Sequence, residues 1–425
     1  TPHEFRSAIE DGVLAWNLAF REAGFKDAVR VKVQPDDADW DAGDIRYNVL
    51  RWTSSPNPPF GGYGPSFVNP RTGQILGADI MMEYVYFTNR VKYERLFDVN
   101  SAPELLPNKN SCQAGAYLHQ ANLFGITAIN TLEGFGQLEQ RRMIYEGLVK
   151  LTLHEIGHTL GLTHNFYASQ LHSLKNIHDR NTTETIGLTA SVMDYVGANV
   201  NPGHHGQFYS TIPGPYDKWV IEFGYAPSLD DPINEEERAK NLLGRSTQPK
   251  LGYGNDADDM RSPGKGIDPR VMINDMTNDP MGYAQERMEM VRTLYKSLRR
   301  KYEQEDQSYH ALTDAFYILS REYSMAAGVI SRYIGGVYMD RSMVGQEGRE
   351  VPFRPVPEDQ QRWAMTLLNK YIFSLDAFSV PKDLYTHLQW ERRGFSGTQD
   401  PTLHEGILGI HKSLLDQLLH INVLN

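Results

Sequence analysis

The run His154-Glu155-Ile156-Gly157-His158-Thr159-Leu160-Gly161-Leu162-Thr163-His164 places three imidazoles, one carboxylate and a glycine at the spacing HExxHxxGxxH. Histidines four residues apart on a helix project from one face about one turn apart, so both rings can reach a single Zn²⁺ at roughly 2 Å. Glu155 flanks them on the neighbouring face. A glycine at 161 can take the left-handed conformation that ends a helix, and the chain then turns so that His164 can supply a third ligand from outside it. The fourth position stays open for water. With 14 His and 36 Gly in 425 residues, this pattern arises by chance on the order of once in 10⁴ such chains. Two blander readings use the same residues. One is a buried helix whose histidines are only hydrogen-bonded. The other is a closed structural zinc site, which asks for a fourth Cys or His at short spacing, where the following run offers His172 and His178.

Three neutral imidazoles leave a metal its full 2+ charge, which draws the pKa of a bound water towards about 7. Glu155 is then placed to act as general base on that metal-activated water and to return the proton to a departing amine. The extended motif resembles that of the metzincin zinc endopeptidases, in which a methionine turn follows. Ser191-Val192-Met193-Asp194-Tyr195 fits that turn about thirty residues after His164. The resemblance implies zinc held by His154, His158 and His164, catalysis by Glu155, a helix end at Gly161 and an apolar floor at Met193. Tyr195 matches the Met-x-Tyr form of the astacin-like and serralysin-like branches, which implies a phenol that binds the metal at rest and swings away to the oxyanion; a tyrosine that only fills space is the alternative.

Further phrases are similar to a group of bacterial zinc-dependent proteases that often carry additional N-terminal domains of unknown function. They are residues 44–52, Gly64-Pro65-Ser66, Pro70-Arg71-Thr72-Gly73, the run HNFYAS from His164, and Tyr216-Asp217-Lys218-Trp219. Asn165 departs from the residues that better-known branches carry after the third histidine. The implied fold is α+β: a twisted mixed sheet with an active-site helix and methionine turn over residues 1–226, its cleft between 1–164 and 165–226, then a mostly helical region over 227–425 packed on it. A substrate peptide lying extended against the strand at residues 74–81 is implied, as is an extracellular or periplasmic location. The loop 196–216 would wall the pocket.

The elements that must position these groups are legible in the periodicity. Ile9, Val13, Trp16 and Phe20 predict one long helix from Pro2 to Gly24. Residues 29–33 and 44–53 read as strands, and residues 66–68 and 74–81 as a hairpin about an Asn-Pro-Arg-Thr-Gly turn. Helices are predicted over 83–97, 113–123 and, carrying the histidines, 137–160, where Ile144, Leu148 and Leu151 form one apolar stripe. Beyond a boundary near Pro227 lie an irregular stretch over 251–280 and helices over 282–304, 307–339, 357–373 and 402–419.

Lys+Arg 42 against Asp+Glu 53 gives a net charge of −11, and no basic run offers a footprint for nucleic acid. No apolar run reaches the ~20 residues of a membrane span. A peptide or protein substrate, no nucleic acid, no membrane span and a monomer are expected. Cys112 is the single cysteine. Its surroundings lack the switch pattern of matrix proteases, so a buried thiol is expected rather than a plug on the metal. His204 and His205 read as solvated loop residues. Asp256, Asp258, Asp259, Asp268, Asp275 and Asp279 crowd one stretch and could hold Ca²⁺. Arg261 and Ile267 break the EF-hand pattern, and helix caps and turns are the other reading. The same zinc site would also serve hydrolysis of a non-protein amide. A non-catalytic peptide-binding scaffold is the rival from another class, and the intact Glu155 speaks against it.

Overall fold

The computed structural model describes residues 1–54, 62–83, 112, 114–203, 206–259, 263–389 and 403–424. The helix expected over 83–97 and the pair His204 and His205 lie outside the described residues. The N-terminal amphipathic stretch forms α1 (His3–Ala15) and α2 (Asn17–Glu22), divided at the buried Trp16. The Trp16 indole N–H donates to the Leu153 carbonyl at 3.1 Å, which pins the division to the helix that carries the histidines. One turn earlier, a Cβ on Gly12 would stand 2.7 Å from that of Thr152, so glycine lets the two helix backbones close on each other.

A small mixed sheet follows, built of β1 (Val49–Thr53), β2 (Gly62–Tyr63), β3 (Ser66–Val68) and β4 (Ile75–Glu83). The predicted hairpin is present. β3 and β4 pair antiparallel about a turn in which Gly73 has φ +74° and the Asn69 N–H reaches the Gln74 carbonyl at 2.8 Å. The strand predicted over 29–33 does not form. The Val29 N–H and carbonyl are both taken by the Asn17 side-chain amide, at 2.9 and 2.8 Å, in place of a ladder. The strand at 74–81, against which the resemblance implies a substrate peptide, is not an edge strand: β4 is central, paired parallel with β1 on one side and antiparallel with β2 and β3 on the other. A paired strand has no free N–H and C=O row to offer a peptide.

After α3 (Ala114–Thr131) comes α4 (Gln137–Thr159), whose first turn is closed by the Glu139 carboxylate accepting the Gly136 N–H. α4 is buried from Gly147 to Glu155. α5 (Arg180–Ile186), α6 (Pro215–Tyr225), α7 (Pro232–Gly244) and the single turn α8 (Asp256–Asp259) lead to the long pair α9 (Pro280–Tyr302) and α10 (His310–Ser331). The helix predicted to run to Met339 stops at Ser331. Gly335 takes φ +65°, a Cβ on Gly336 would meet the Arg332 carbonyl at 2.8 Å, and β5 (Val337–Met339) then pairs with β6 (Phe353–Pro355). α11 (Glu358–Leu368), the turn α12 (Lys382–Tyr385) and α13 (Leu403–Leu418) complete the helical part.

The main apolar cluster is continuous from Ala8 on α1 through Leu148 and Leu151 on α4, Met193 and Tyr195, to Leu298 on α9, Leu319 on α10 and Leu414 on α13. No helix among the described residues is long and apolar enough to cross a membrane.

Candidate metal centre

His154 and His158 project from the last two turns of α4, and the chain leaves the helix where the sequence places its glycine. Gly161 has φ +90°, the Gly161 N–H donates to the His158 carbonyl, and the Leu162 N–H donates to the Gly157 carbonyl, both at 3.0 Å. That reversal brings His164 back to the other two. The three ring centroids stand 4.7, 4.9 and 5.4 Å apart.

Each ring is held through Nδ1. His154 Nδ1 lies 2.8 Å from the Val192 carbonyl, His158 Nδ1 3.0 Å from the Leu162 carbonyl, and His164 Nδ1 2.6 Å from the Asp256 carboxylate. Carbonyl and carboxylate oxygens only accept, so Nδ1 carries the proton and Nε2 carries the lone pair of each ring. Burial keeps His154 well below the ordinary imidazole range and holds His158 at about 4, so both are neutral at pH 7, as metal ligands must be.

His158 Nε2 and Glu155 Oε2 are buried with no hydrogen-bond partner, and Glu155 is 0% exposed. Leaving such groups unsatisfied costs about 1–3 kcal/mol each. A divalent cation with a bound water would satisfy both, so the residues fit a zinc ion. Burial also pushes the Glu155 carboxyl up to about 8, opposed by its contacts with Cys112 and Lys150. Lys150, one turn before His154, is buried and donates to the Asp194 carbonyl.

The methionine turn sits beneath. Met193 is fully buried, and a Cβ on Gly157 would approach its Sδ to 2.4 Å; glycine at that place in α4 is what admits the thioether under the histidines. The turn is clamped by two buried carboxylates. Asp217 on α6 accepts the Ser191 hydroxyl and the N–H groups of Val192 and Gly214, and Asp194 accepts those of Ser169 and Tyr195. The Tyr195 hydroxyl lies 2.8 Å from His164 Nε2.

Two groups the sequence did not assign complete the arrangement. The Cys112 Sγ stands 3.4 Å from His154 Nε2, 3.4 Å from the Tyr195 hydroxyl and 3.6 Å from Glu155 Oε1. Cys112, His154, His158 and His164 offer ligand atoms that all lie within 4.8 Å of one another. The thiol, expected to be buried, stands beside the histidines. Asp256 is the second. Among the six acidic residues considered for Ca²⁺ it holds His164, while Asp258 pairs with Arg341, Asp259 with Arg332 and Asp268 with Arg270; Asp275 accepts from Ser169, and Asp279 caps α9. With these carboxylates so engaged, a calcium site is not supported. His172 donates from Nε2 to the Gly187 carbonyl and His178 contacts Asn201; neither joins the cluster.

Asn165 is fully buried. Its amide donates to the Gly252 carbonyl, and its side-chain oxygen accepts the N–H groups of Tyr167 and Gly254. The residue after the third histidine thus ties that turn to the segment that presents Asp256.

A histidine-bearing helix ending in a left-handed glycine, a third imidazole beyond it and a methionine turn below define an α+β protein of metzincin type. The chain belongs to the Met-zincin family, whose model matches residues 137–425, from the first residue of α4 through the helical region. No curated protein and no solved structure matches the chain.

Proposed function

We propose that the protein is a zinc-dependent endopeptidase in which His154, His158 and His164 hold one zinc ion and Glu155 is the general base. Membership of the Met-zincin family supports a metallopeptidase. The observation that carries the finer reading is that the three histidines offer ligand nitrogens all within 4.8 Å of one another, beside a fully buried carboxylate with an unpartnered oxygen. When bound, zinc supplies the Lewis acidity that acidifies water and polarises a scissile carbonyl. Glu155 takes a proton from the attacking water and hands it to the leaving amine, a transfer its place next to His154 favours. Tyr195, stacked on Tyr117 at 5.1 Å between ring centroids, offers its hydroxyl to the oxyanion, a contact that strengthens as charge develops. Gly161 and Met193 hold the helix end and the floor.

The substrate peptide lies extended along the outer side of β2 and β3. There a Cβ on Gly64 would stand 2.6 Å from the Glu155 carbonyl, so the backbone passes directly over the base, and a strand edge can add a peptide by main-chain hydrogen bonds. Following the resemblance to exported bacterial proteases, the enzyme works outside the cytoplasm, as a monomer, on peptide or protein.

The test is cleavage of a quenched random-peptide library by zinc-loaded wild type and Glu155→Gln. The variant is expected to keep its zinc and lose turnover by about 10²–10⁴-fold. Equal cleavage by both proteins would remove Glu155 from the chemistry.

A further inference from the structure

We propose that Tyr253 is a specificity-determining residue of the peptidase, its ring receiving a flat aromatic side chain of the peptide close to the bond cleaved. The inference rests on the endopeptidase reading and names the substrate class for that site. Solvent reaches the centre beside the third histidine: the His164 side chain is 12% exposed and that of Asp256, which holds it, 53%. The Tyr253 hydroxyl lies 2.7 Å from that of Thr163, the residue before His164, and accepts at 3.1 Å from the side-chain amide of Asn255, the residue before Asp256. The ring is thus tied at two points to the exposed side of the centre.

The backbone turns it outward. Gly252 is extended, with φ −59° and ψ 150°; a Cβ there would strike the Tyr167 ring, and one on Gly254 would meet Val271. Alternate residues of an extended chain share a face. With 252 and 254 pressed inward, the residue between them points out, and Tyr253 is 38% exposed. One face of its ring lies on Tyr216, with centroids 5.9 Å apart and planes 12° from parallel, and Tyr216 in turn meets Trp219 at 5.7 Å. Tyr253, Tyr216 and Trp219 therefore form a row of rings, the last two on α6.

A packing role does not account for this ring. Asn165 already fastens the segment to the turn of the third histidine, through the Gly252 carbonyl and the Gly254 N–H. A tyrosine that only filled space would be covered, whereas this one has its hydroxyl fixed, one face supported and the rest exposed. A ring so held has little rotamer freedom left to lose when a ligand arrives. An aromatic partner adds about 2–10-fold in binding beyond what its buried area gives, and leucine supplies the area without that gain. The chemistry therefore selects Phe, Tyr or Trp over Leu at one position of the peptide.

Peptides that differ only in Phe or Leu at each position flanking the cleaved bond test this in the zinc-loaded full chain. At one of those positions wild type is expected to favour Phe by about 2–10-fold in kcat/KM. Tyr253→Leu is expected to bring that ratio to about one, and Tyr253→Trp to keep it. Cleavage without a Phe preference at any position, or a preference unchanged in Tyr253→Leu, would overturn the inference and leave the endopeptidase reading standing. No cleavage of any peptide by wild type would overturn both. A second measurement does not depend on whether the Tyr253 variants fold. Zinc-loaded Glu155→Gln is irradiated with a peptide carrying p-benzoylphenylalanine at the preferred position, and a cross-link at Tyr216 or within residues 252–256 is expected. Cross-links confined to other segments would overturn the inference.

Discussion

The three imidazoles are equivalent in sequence logic but differ in what fixes them. His154 and His158 lean on backbone carbonyls of their own neighbourhood, whereas His164 leans on Asp256, a half-exposed carboxylate 92 residues further on. A carboxylate on Nδ1 orients the ring and raises its basicity as a ligand. Asp256→Asn keeps the shape and removes the charge, and we expect zinc affinity to fall about 10–100-fold with the melting transition little changed, read by competition with a chromophoric chelator. Unchanged affinity would reduce Asp256 to a surface residue. The histidines, Glu155 and Gly161 were legible because their relation is local: a fixed spacing on one helix and one turn. Cys112 and Asp256 were not, since nothing in the residues around either records that chain packing brings them to the same point. Asp256 was visible only as one of six acids, and only the fold distinguishes the one that meets an imidazole from those that meet arginines.

At the scale of elements, α4 does two jobs, presenting the histidines from its last turns and anchoring the stretch beyond the methionine turn from its middle. Glu146 carries the second. Its buried carboxylate accepts the N–H groups of Phe208 and Tyr209, with Arg142 alongside at 3.5 Å. Burial pushes it up to about 7 from an ordinary 4.5, against the pull of those partners. A carboxyl raised in the fold binds more protons folded than unfolded. Its stabilising contribution is therefore complete below about 4.5 and is lost as pH rises to about 7. Glu146→Gln, which stays neutral, should gain stability relative to wild type as pH climbs through that window and hold the gain above it, measured by denaturant unfolding along a pH series. A pH-independent difference would contradict the buried-carboxyl account. The helix and the hairpin were readable from period and turn chemistry. The strand expected at 29–33 was misread because alternation alone cannot show that a side chain, Asn17, will take both backbone groups of Val29. The central place of β4 depends on pairing with β1, which no local pattern encodes.

Across the whole molecule, the helical region is part of the site's support. The Phe166 N–H donates to the Gly254 carbonyl, the Asn274 N–H to the Tyr195 carbonyl, and Asn165 to the Gly252 carbonyl, so Gly252, Gly254 and Asn274 lace the third histidine and the methionine turn in place. The apolar cluster runs unbroken from α1 to α13. We expect the full chain to unfold in one calorimetric transition, and a chain ending at residue 226 to lose both that transition and tight zinc binding. Independent folding of 1–226 with zinc affinity intact would show that the helices merely rest on the site. All of this turns on whether His154, His158 and His164 hold a metal. The most direct measurement is elemental analysis of zinc in the full chain and in His158→Ala after dialysis against buffered zinc. One zinc per wild-type chain and a loss of that zinc in the variant is the predicted result; no zinc in wild type, or equal zinc in both, would contradict it.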